Sequence, residues 1–292
     1  VCGRAGSSWN VAEPFFPKER LIILGGGHVA LPVAEFGARV GFLVTVVDDR
    51  LSFANPGRFP MAEKVICDDF GHAIKELKIQ ESDYICIVTR GHRHDADCLR
   101  MIGKGKEPAY LGMIGSRRRV GIVKQELLEE GYDPERMSRL KSPIGLKIGG
   151  VTPEEIAISI LAEIIQVKRM DREDKRVKNR SDLDFDVLKR LAEEPDEPKA
   201  VVTVIESKGS SPRGAGAKMI VYRDGRILGS IGGGCSEAAV LGEARSLIGS
   251  GRYKVVHVDL TGEAAEDEGM VCGGIMDVLV EDFATDREPC DR

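Results

Sequence analysis

Leu21-Ile22-Ile23-Leu24-Gly25-Gly26-Gly27-His28-Val29-Ala30 sets a wholly apolar run against a triple glycine and the opening of a helical pattern. An apolar run without alternation suits a strand buried on both faces, as in a parallel sheet covered by helices. Small residues at Gly25, Gly27 and Ala30 let the backbone of the following turn approach a pyrophosphate at the helix N-terminus. Any doubly wound sheet also needs a tight first turn, so nucleotide binding is one of two readings of these glycines. Outward from this turn, a helix is expected to about Val40 and a second strand from Leu43 to Val47, closed by Asp48-Asp49-Arg50. Asp48 lies close to the roughly 20-residue offset at which a carboxylate accepts a ribose hydroxyl, and Arg50 leaves NAD and NADP both open. Further strands are expected near Lys64 to Cys67, Tyr84 to Val88 and Ala109 to Ile114, with helices between them. Two helices, near Ser116 to Glu130 and Pro153 to Lys168, close the unit. The alternation predicts an α/β fold with a doubly wound, parallel, Rossmann-like sheet.

The 292 residues suggest two domains, and 42% hydrophobic with 30% charged residues is the balance of an ordinary globular chain. No apolar run approaches the ~18 residues of a membrane span and no signal-peptide pattern opens the chain. The net charge of -5 argues against a broad nucleic-acid surface. Seven cysteines without a Cys-x-x-Cys pair fit a reducing cytoplasm. Cys67 and Cys86 both end or occupy apolar runs and read as strand-core packing. From Met170 to Asp186 the chain is almost wholly charged, which marks a boundary. Beyond it a short helix, a strand, a Gly-rich loop, a hairpin, a helix and two more strands predict a smaller α+β domain. The expected division is an N-terminal arm over 1–16, the Rossmann-like domain over 17–170, a charged linker over 171–181, a cysteine-bearing domain over 182–283 and a tail over 284–292. Val1-Cys2-Gly3 with Val11 to Phe15 echoes Val271-Cys272-Gly273 with Val280 to Phe283, as if an upstream copy had been cut away or the order permuted. A start at Val1 rather than Met agrees with a processed or shortened chain.

Four motifs carry chemistry. Gly232-Gly233-Gly234-Cys235-Ser236-Glu237 follows an apolar run and opens a helix, placing a thiol among backbone N–H groups that favour a thiolate or hold an anion. A tight turn around a small buried cysteine is the plainer alternative, and Val271-Cys272-Gly273-Gly274 repeats the pattern. Gly209 to Lys218 joins two strands with small residues and the cations Arg213 and Lys218, which suits phosphate. Gly115-Ser116-Arg117-Arg118-Arg119 puts three cations in a first helical turn, against the helix dipole, so either an anion or a solvated face accounts for them. Thr89 to Asp95 follows a strand at its carboxyl end; His92, His94 and Asp95 are too close together in a loop for three metal ligands, and polar lining of the crevice is the better reading.

These motifs resemble the XdhC/CoxI family of accessory proteins for molybdenum hydroxylases of the xanthine dehydrogenase and carbon monoxide dehydrogenase type. Gly209 to Arg213, Gly216 to Lys218, Gly232 to Glu237 and Val271 to Gly274 look like its cysteine-bearing domain. Leu24 to Ala30, Val47 to Arg50, Arg58-Phe59-Pro60, Thr89 to His92, Gly112 to Arg117, Pro143 to Leu146 and Thr152 to Ala157 look like its Rossmann domain. The family commonly places the cysteine domain first, and here it comes second. The resemblance implies a maturation factor rather than a catalyst. It would bind the molybdenum cofactor, as molybdopterin or its dinucleotide form, protect it for sulfuration and insert it into a client hydroxylase. It further implies a cysteine desulfurase as a second partner and a homodimer, while charge and the lack of a long apolar run argue for no nucleic-acid and no membrane partner. Turn chemistry and resemblance together select Gly25, Gly27, His28, Ala30, Asp48, Arg50, Gly115, Ser116, Arg117, Ser211, Arg213, Lys218, Gly233, Gly234, Cys235, Glu237, Cys272 and Gly273 for cofactor binding, with Cys235 and Cys272 as metal ligands. The competing reading is an NAD(P)-dependent oxidoreductase built on the Rossmann half; it lacks a convincing proton donor arrangement for hydride chemistry, although His28 and His92 prevent its outright dismissal.

Overall fold

The structure is a computed structural model that describes residues 17–170, 182–209, 211, 213–259 and 274–283, with the backbone alone at 2–5, 8–11, His92 and Cys235. Two compact units share the chain: Phe16–Arg180, and Val1–Phe15 with Ser181–Arg292. The short strands β1 (Cys2–Ala5) and β2 (Ser8–Val11) pair antiparallel.

In the first unit, β3 (Arg20–Leu24), β4 (Leu43–Asp48), β5 (Lys64–Cys67), β6 (Tyr84–Ile87) and β7 (Tyr110–Met113) form one sheet in the order β5-β4-β3-β6-β7. All its pairings are parallel. The apolar run of β3 divides by the two-residue period of a strand. Leu21 and Ile23 pack against α1 (Ala30–Arg39) and α6 (Pro153–Met170), while Ile22 and Leu24 face α2 (Phe70–Leu77), α3 (His92–Gly103) and α4 (Arg117–Glu129). Full burial of each such side chain contributes about 1.5–3 kcal/mol, which is why this strand lacks alternation. A short helix, α5 (Pro134–Arg139), precedes Lys141, which bridges to Gly112 beside β7. Cys86 sits in the core as expected, but Cys67 is exposed. It ends the edge strand β5, so nothing covers that side, and its core assignment is corrected. The Thr89 to Asp95 loop is also shorter than expected, because α3 already begins at His92.

In the second unit, β8 (Lys199–Gly209), β9 (Lys218–Tyr222), β10 (Ile227–Gly229), β11 (Tyr253–Asp259) and β12 (Gly274–Phe283) form an antiparallel sheet in the order β10-β9-β8-β12-β11. One face packs α8 (Gly234–Leu247) against Val202, Val204, Met219 and Val278. The other takes α7 (Phe185–Glu193) through Val187 against Ile220 and Tyr222. Fully buried Lys199 turns its ammonium to the carbonyls of Glu194 and, at 2.7 Å, Glu197, where the α7 C-terminus leaves acceptors. Among the described residues no helix is long and apolar enough to cross a membrane.

Candidate functional site

Each unit gathers its motifs at one end of its sheet. In the parallel sheet this is the carboxyl edge at the switch between β3 and β6, where open α/β sheets bind ligands. Gly25 N–H donates to the Val47 carbonyl at 2.7 Å, and its φ of +111° suits glycine. A Cβ there would lie 2.5 Å from the Val88 carbonyl oxygen, so Gly25 lets the β3 and β6 ends close together. Gly27 differs: a Cβ on it would meet nothing within 4 Å. The space above Gly27 is a cradle that a side chain would fill. His28 is exposed beside it, whereas Ala30 is buried in the core, its small size used for packing.

Asp48 is 1% exposed. One carboxylate oxygen accepts from Gly26 N–H at 2.8 Å and Arg50 Nη2 at 3.0 Å; the other accepts from Arg50 N–H at 3.0 Å and Arg50 Nε at 2.8 Å. Those four bonds fill the roughly four acceptor positions of a carboxylate. Asp48 therefore braces the turn; Arg50 is its partner and stacks on the Phe53 ring at 3.7 Å. Beside them Asp49 accepts both terminal nitrogens of Arg90, one at 2.8 Å. The Arg90 hydrogen bonds hold the Asp49 carboxyl down at about 2. Because β3 lies between β4 and β6, this pair crosses the end of β3.

Arg58 donates from Nε to the Gly26 carbonyl at 3.2 Å and from Nη2 to the Gly27 carbonyl at 3.4 Å. At the next strand end, Thr89 Oγ1 donates to buried Asp95 at 2.5 Å, and Arg119 pairs with the other Asp95 oxygen. Burial pushes the Asp95 carboxyl up, against the lowering pull of Thr89 and Arg119. Arg119 Nε is buried without a partner among the described residues. The three arginines thus separate: Arg119 is a counter-ion, while Arg117 and Arg118 are exposed. Ser116 caps α4 by accepting from Arg119 N–H at 3.3 Å, and Gly115 precedes it. His94 packs edge-on against Phe70, and no group of three metal-ligating side chains occurs among the described residues.

In the antiparallel sheet, Gly209 pairs with Gly274 and Gly229 with Met219, so β8 and β10 finish where β9 and β12 begin. The Gly-rich loop, the Ser230–Gly233 turn and the start of β12 emerge together there. Gly233 and Gly234 take φ of +73° and +56°, a pair of left-handed residues that β-carbons would strain. Glu237 Oε1 accepts from Ser230 Oγ at 2.6 Å, Ile231 N–H at 3.2 Å and Gly233 N–H at 2.9 Å. Glu237 thereby shapes the turn from within, and Cys235 occupies the second position of α8, where N–H groups have no intrahelical acceptor. Arg213 pairs with Asp182 at 2.7 Å, Ser211 Oγ donates to the Arg213 carbonyl at 2.8 Å, and buried Lys218 donates to Thr203 Oγ1 at 2.9 Å. Cys272 and Gly273 lie outside the described residues. Asp49, Arg58 and Arg90 stood in recognised motifs without a role of their own and Asp182 in the charged stretch; only the fold shows what they touch.

The XdhC Rossmann domain family matches residues 21–164, and the XdhC and CoxI family matches residues 192–259. An uncharacterized Escherichia coli K12 protein, YqeB, is 36% identical over 168 residues, 57% of this chain and 30% of that one. A probable xanthine dehydrogenase subunit from Bacillus subtilis 168 is 34% identical over 153 residues, 52% of this chain and 44% of its own. The molybdenum cofactor insertion chaperone PaoD of Escherichia coli K12 is 40% identical over 74 residues, 25% of this chain and 23% of its own. The chain thus spans less than half the length of each of these relatives.

Proposed function

Because the chain belongs to the XdhC and CoxI family, we propose that it is a molybdenum cofactor accessory protein, one that holds the cofactor, shields it during sulfuration and delivers it to a xanthine dehydrogenase-type hydroxylase. The observation that carries this reading is the convergence of the Gly-rich loop, the Cys235 turn and the start of β12 at one end of the antiparallel sheet. Cys235 at the head of α8 and Cys272, two residues before β12, are the soft ligands that molybdenum and its sulfur would select. Glu237 keeps the Gly233 turn in shape, and the N–H groups of Gly234 and Cys235, in the first turn of α8, would receive an incoming anion. When bound, the cofactor supplies the molybdenum–sulfur centre that the client uses; this chain's residues bind it, orient it and keep water from it. The Rossmann unit holds a diphosphate-linked nucleotide, as the dinucleotide form of that cofactor or as NAD(P), over Gly27. A cysteine desulfurase as sulfur donor, a homodimer and a cytoplasmic setting complete the proposal.

The test is anaerobic transfer of cofactor to an apo-hydroxylase by Cys235→Ser, Cys272→Ser and the core control Cys86→Ser. Serine keeps the shape but replaces a soft ligand by a hard one, so transfer should fall for Cys235→Ser while the fold persists. Full transfer by Cys235→Ser, or an equal loss in folded Cys86→Ser, would overturn the assignment. Mass spectrometry of small molecules released from protein purified without oxygen separates the two function classes: a pterin supports the accessory role, and a nicotinamide alone supports the oxidoreductase.

A further inference from the structure

Of four arginines whose guanidinium groups are held by hydrogen bonds at the carboxyl edge of the parallel sheet, three are matched by carboxylates: Arg50 by Asp48, Arg90 by Asp49 and Arg119 by Asp95. Arg58 is the exception. Its guanidinium hydrogen-bonds to the Gly26 and Gly27 carbonyls, and among the described residues no carboxylate pairs with it. The placement is built rather than incidental. Arg58 N–H donates to Asn55 Oδ1 at 2.9 Å, Asn55 Nδ2 donates to the Leu51 carbonyl at 3.0 Å, and the guanidinium lies 5.6 Å from both the Phe53 and Phe59 ring centres. Two neutral carbonyls and two ring faces orient a cation without cancelling its charge. Immediately beside it is Gly27, above which a β-carbon would find open space.

We infer that Arg58 is the residue that binds the ligand's diphosphate, as the uncompensated cation at the open face of the glycine turn. The inference rests on the reading that the Rossmann unit holds a diphosphate-linked nucleotide, and it adds the group that recognises the charge. The turn's N–H groups alone offer partial charge, and Gly26 N–H is already given to Asp48. A half-buried guanidinium with further N–H donors supplies a full charge and charge-assisted bonds to phosphate oxygens. Arg90 is unsuited to that role at rest, since Asp49 occupies its bidentate face.

Calorimetry of the full chain with NADH, cytidine diphosphate and inorganic pyrophosphate, alongside melting temperatures, tests this for wild type, Gly27→Val, Arg58→Gln and Arg58→Lys. Arg58→Gln should weaken the diphosphate ligands by about 10- to 100-fold, the range of a hydrogen bond to a charged group, with a shallower salt dependence and a melting temperature close to wild type. Arg58→Lys should retain more affinity than Arg58→Gln. Tighter binding of a nucleotide than of pyrophosphate identifies a nucleotide ligand; the reverse identifies free diphosphate. If wild type binds none of the three, the nucleotide reading fails and the inference with it. If wild type binds and Gly27→Val does not, yet Arg58→Gln matches wild type, the inference alone is wrong. A lowered melting temperature with Arg58→Lys no better than Arg58→Gln would make Arg58 a structural brace and overturn it too.

Discussion

Gly25 and Gly27 stand two residues apart and meet opposite demands. Gly25→Ala places a methyl 2.5 Å from the Val88 carbonyl oxygen at a φ of +111°, so it should cost more than about 1 kcal/mol in denaturant titration. A Cβ at Gly27 meets no protein atom within 4 Å, so Gly27→Val should leave the melting temperature nearly unchanged while abolishing nucleotide binding in calorimetry. Stability and binding are therefore separable within one turn. Asp49 gives a pH signature of its own. Its carboxyl is held at about 2 by Arg90, below the unfolded value near 4, so the pair's stabilisation is present above pH 4 and is lost as pH falls toward 2. Acid titration of folding should show a shallower loss between pH 4 and 2 for Asp49→Asn than for wild type; parallel curves would refute the coupling. The cysteines divide in the same physical way. Burial pushes the Cys86 and Cys98 thiols well up, which leaves them as inert packing and makes Cys86→Ser a fair control for Cys235→Ser.

The Ser230–Gly234 turn is held by one side chain. Glu237→Ala would strand three donors, two of them backbone N–H groups, and should cost about 1–3 kcal/mol with reduced cofactor retention. Glu237→Gln keeps an acceptor and should fall between, which retention after gel filtration would reveal. At this scale the sequence is informative wherever burial sets the pattern: the all-apolar runs of Leu21–Leu24 and Tyr84–Ile87 announce two-sided burial, and both are central strands. It is weaker where neighbours decide. Cys67 carries an apolar context into an edge strand, where nothing packs on it. The first turn of α3 reads as loop because Thr89 to Asp95 is polar, although Asp95 spends its polarity on Thr89 and Arg119 inside the fold. The glycine signatures of both sites are visible because left-handed or close-packed backbone excludes other residues. The ion pairs that surround them are not, since Asp182 with Arg213 and Asp49 with Arg90 are separated by 31 and 41 residues.

Each unit owns its core: the parallel sheet is enclosed by two clusters of its own residues, and the antiparallel sheet by separate ones. A lesion in one should spare the ligand chemistry of the other. Met219→Ala, at a fully buried position, should cost about 2–5 kcal/mol in the antiparallel unit and reduce cofactor retention. NADH or pyrophosphate affinity measured at low temperature should stay within twofold of wild type, roughly the 0.5 kcal/mol within which independent sites add; loss of both activities together would show that the units do not act separately. The order β4-β3-β6 also sets a clock. Arg20 at the start of β3 is tied to Asp83, 63 residues later, just before β6, through a 2.8 Å bond. At roughly 5–20 residues per second a ribosome needs several seconds to deliver the second after the first. During that interval β3 can pair with β4, but the wall that Val88 and Thr89 give to the glycine turn does not yet exist. A nascent chain therefore has half a crevice, and the glycine turn gains its second wall only when β6 emerges.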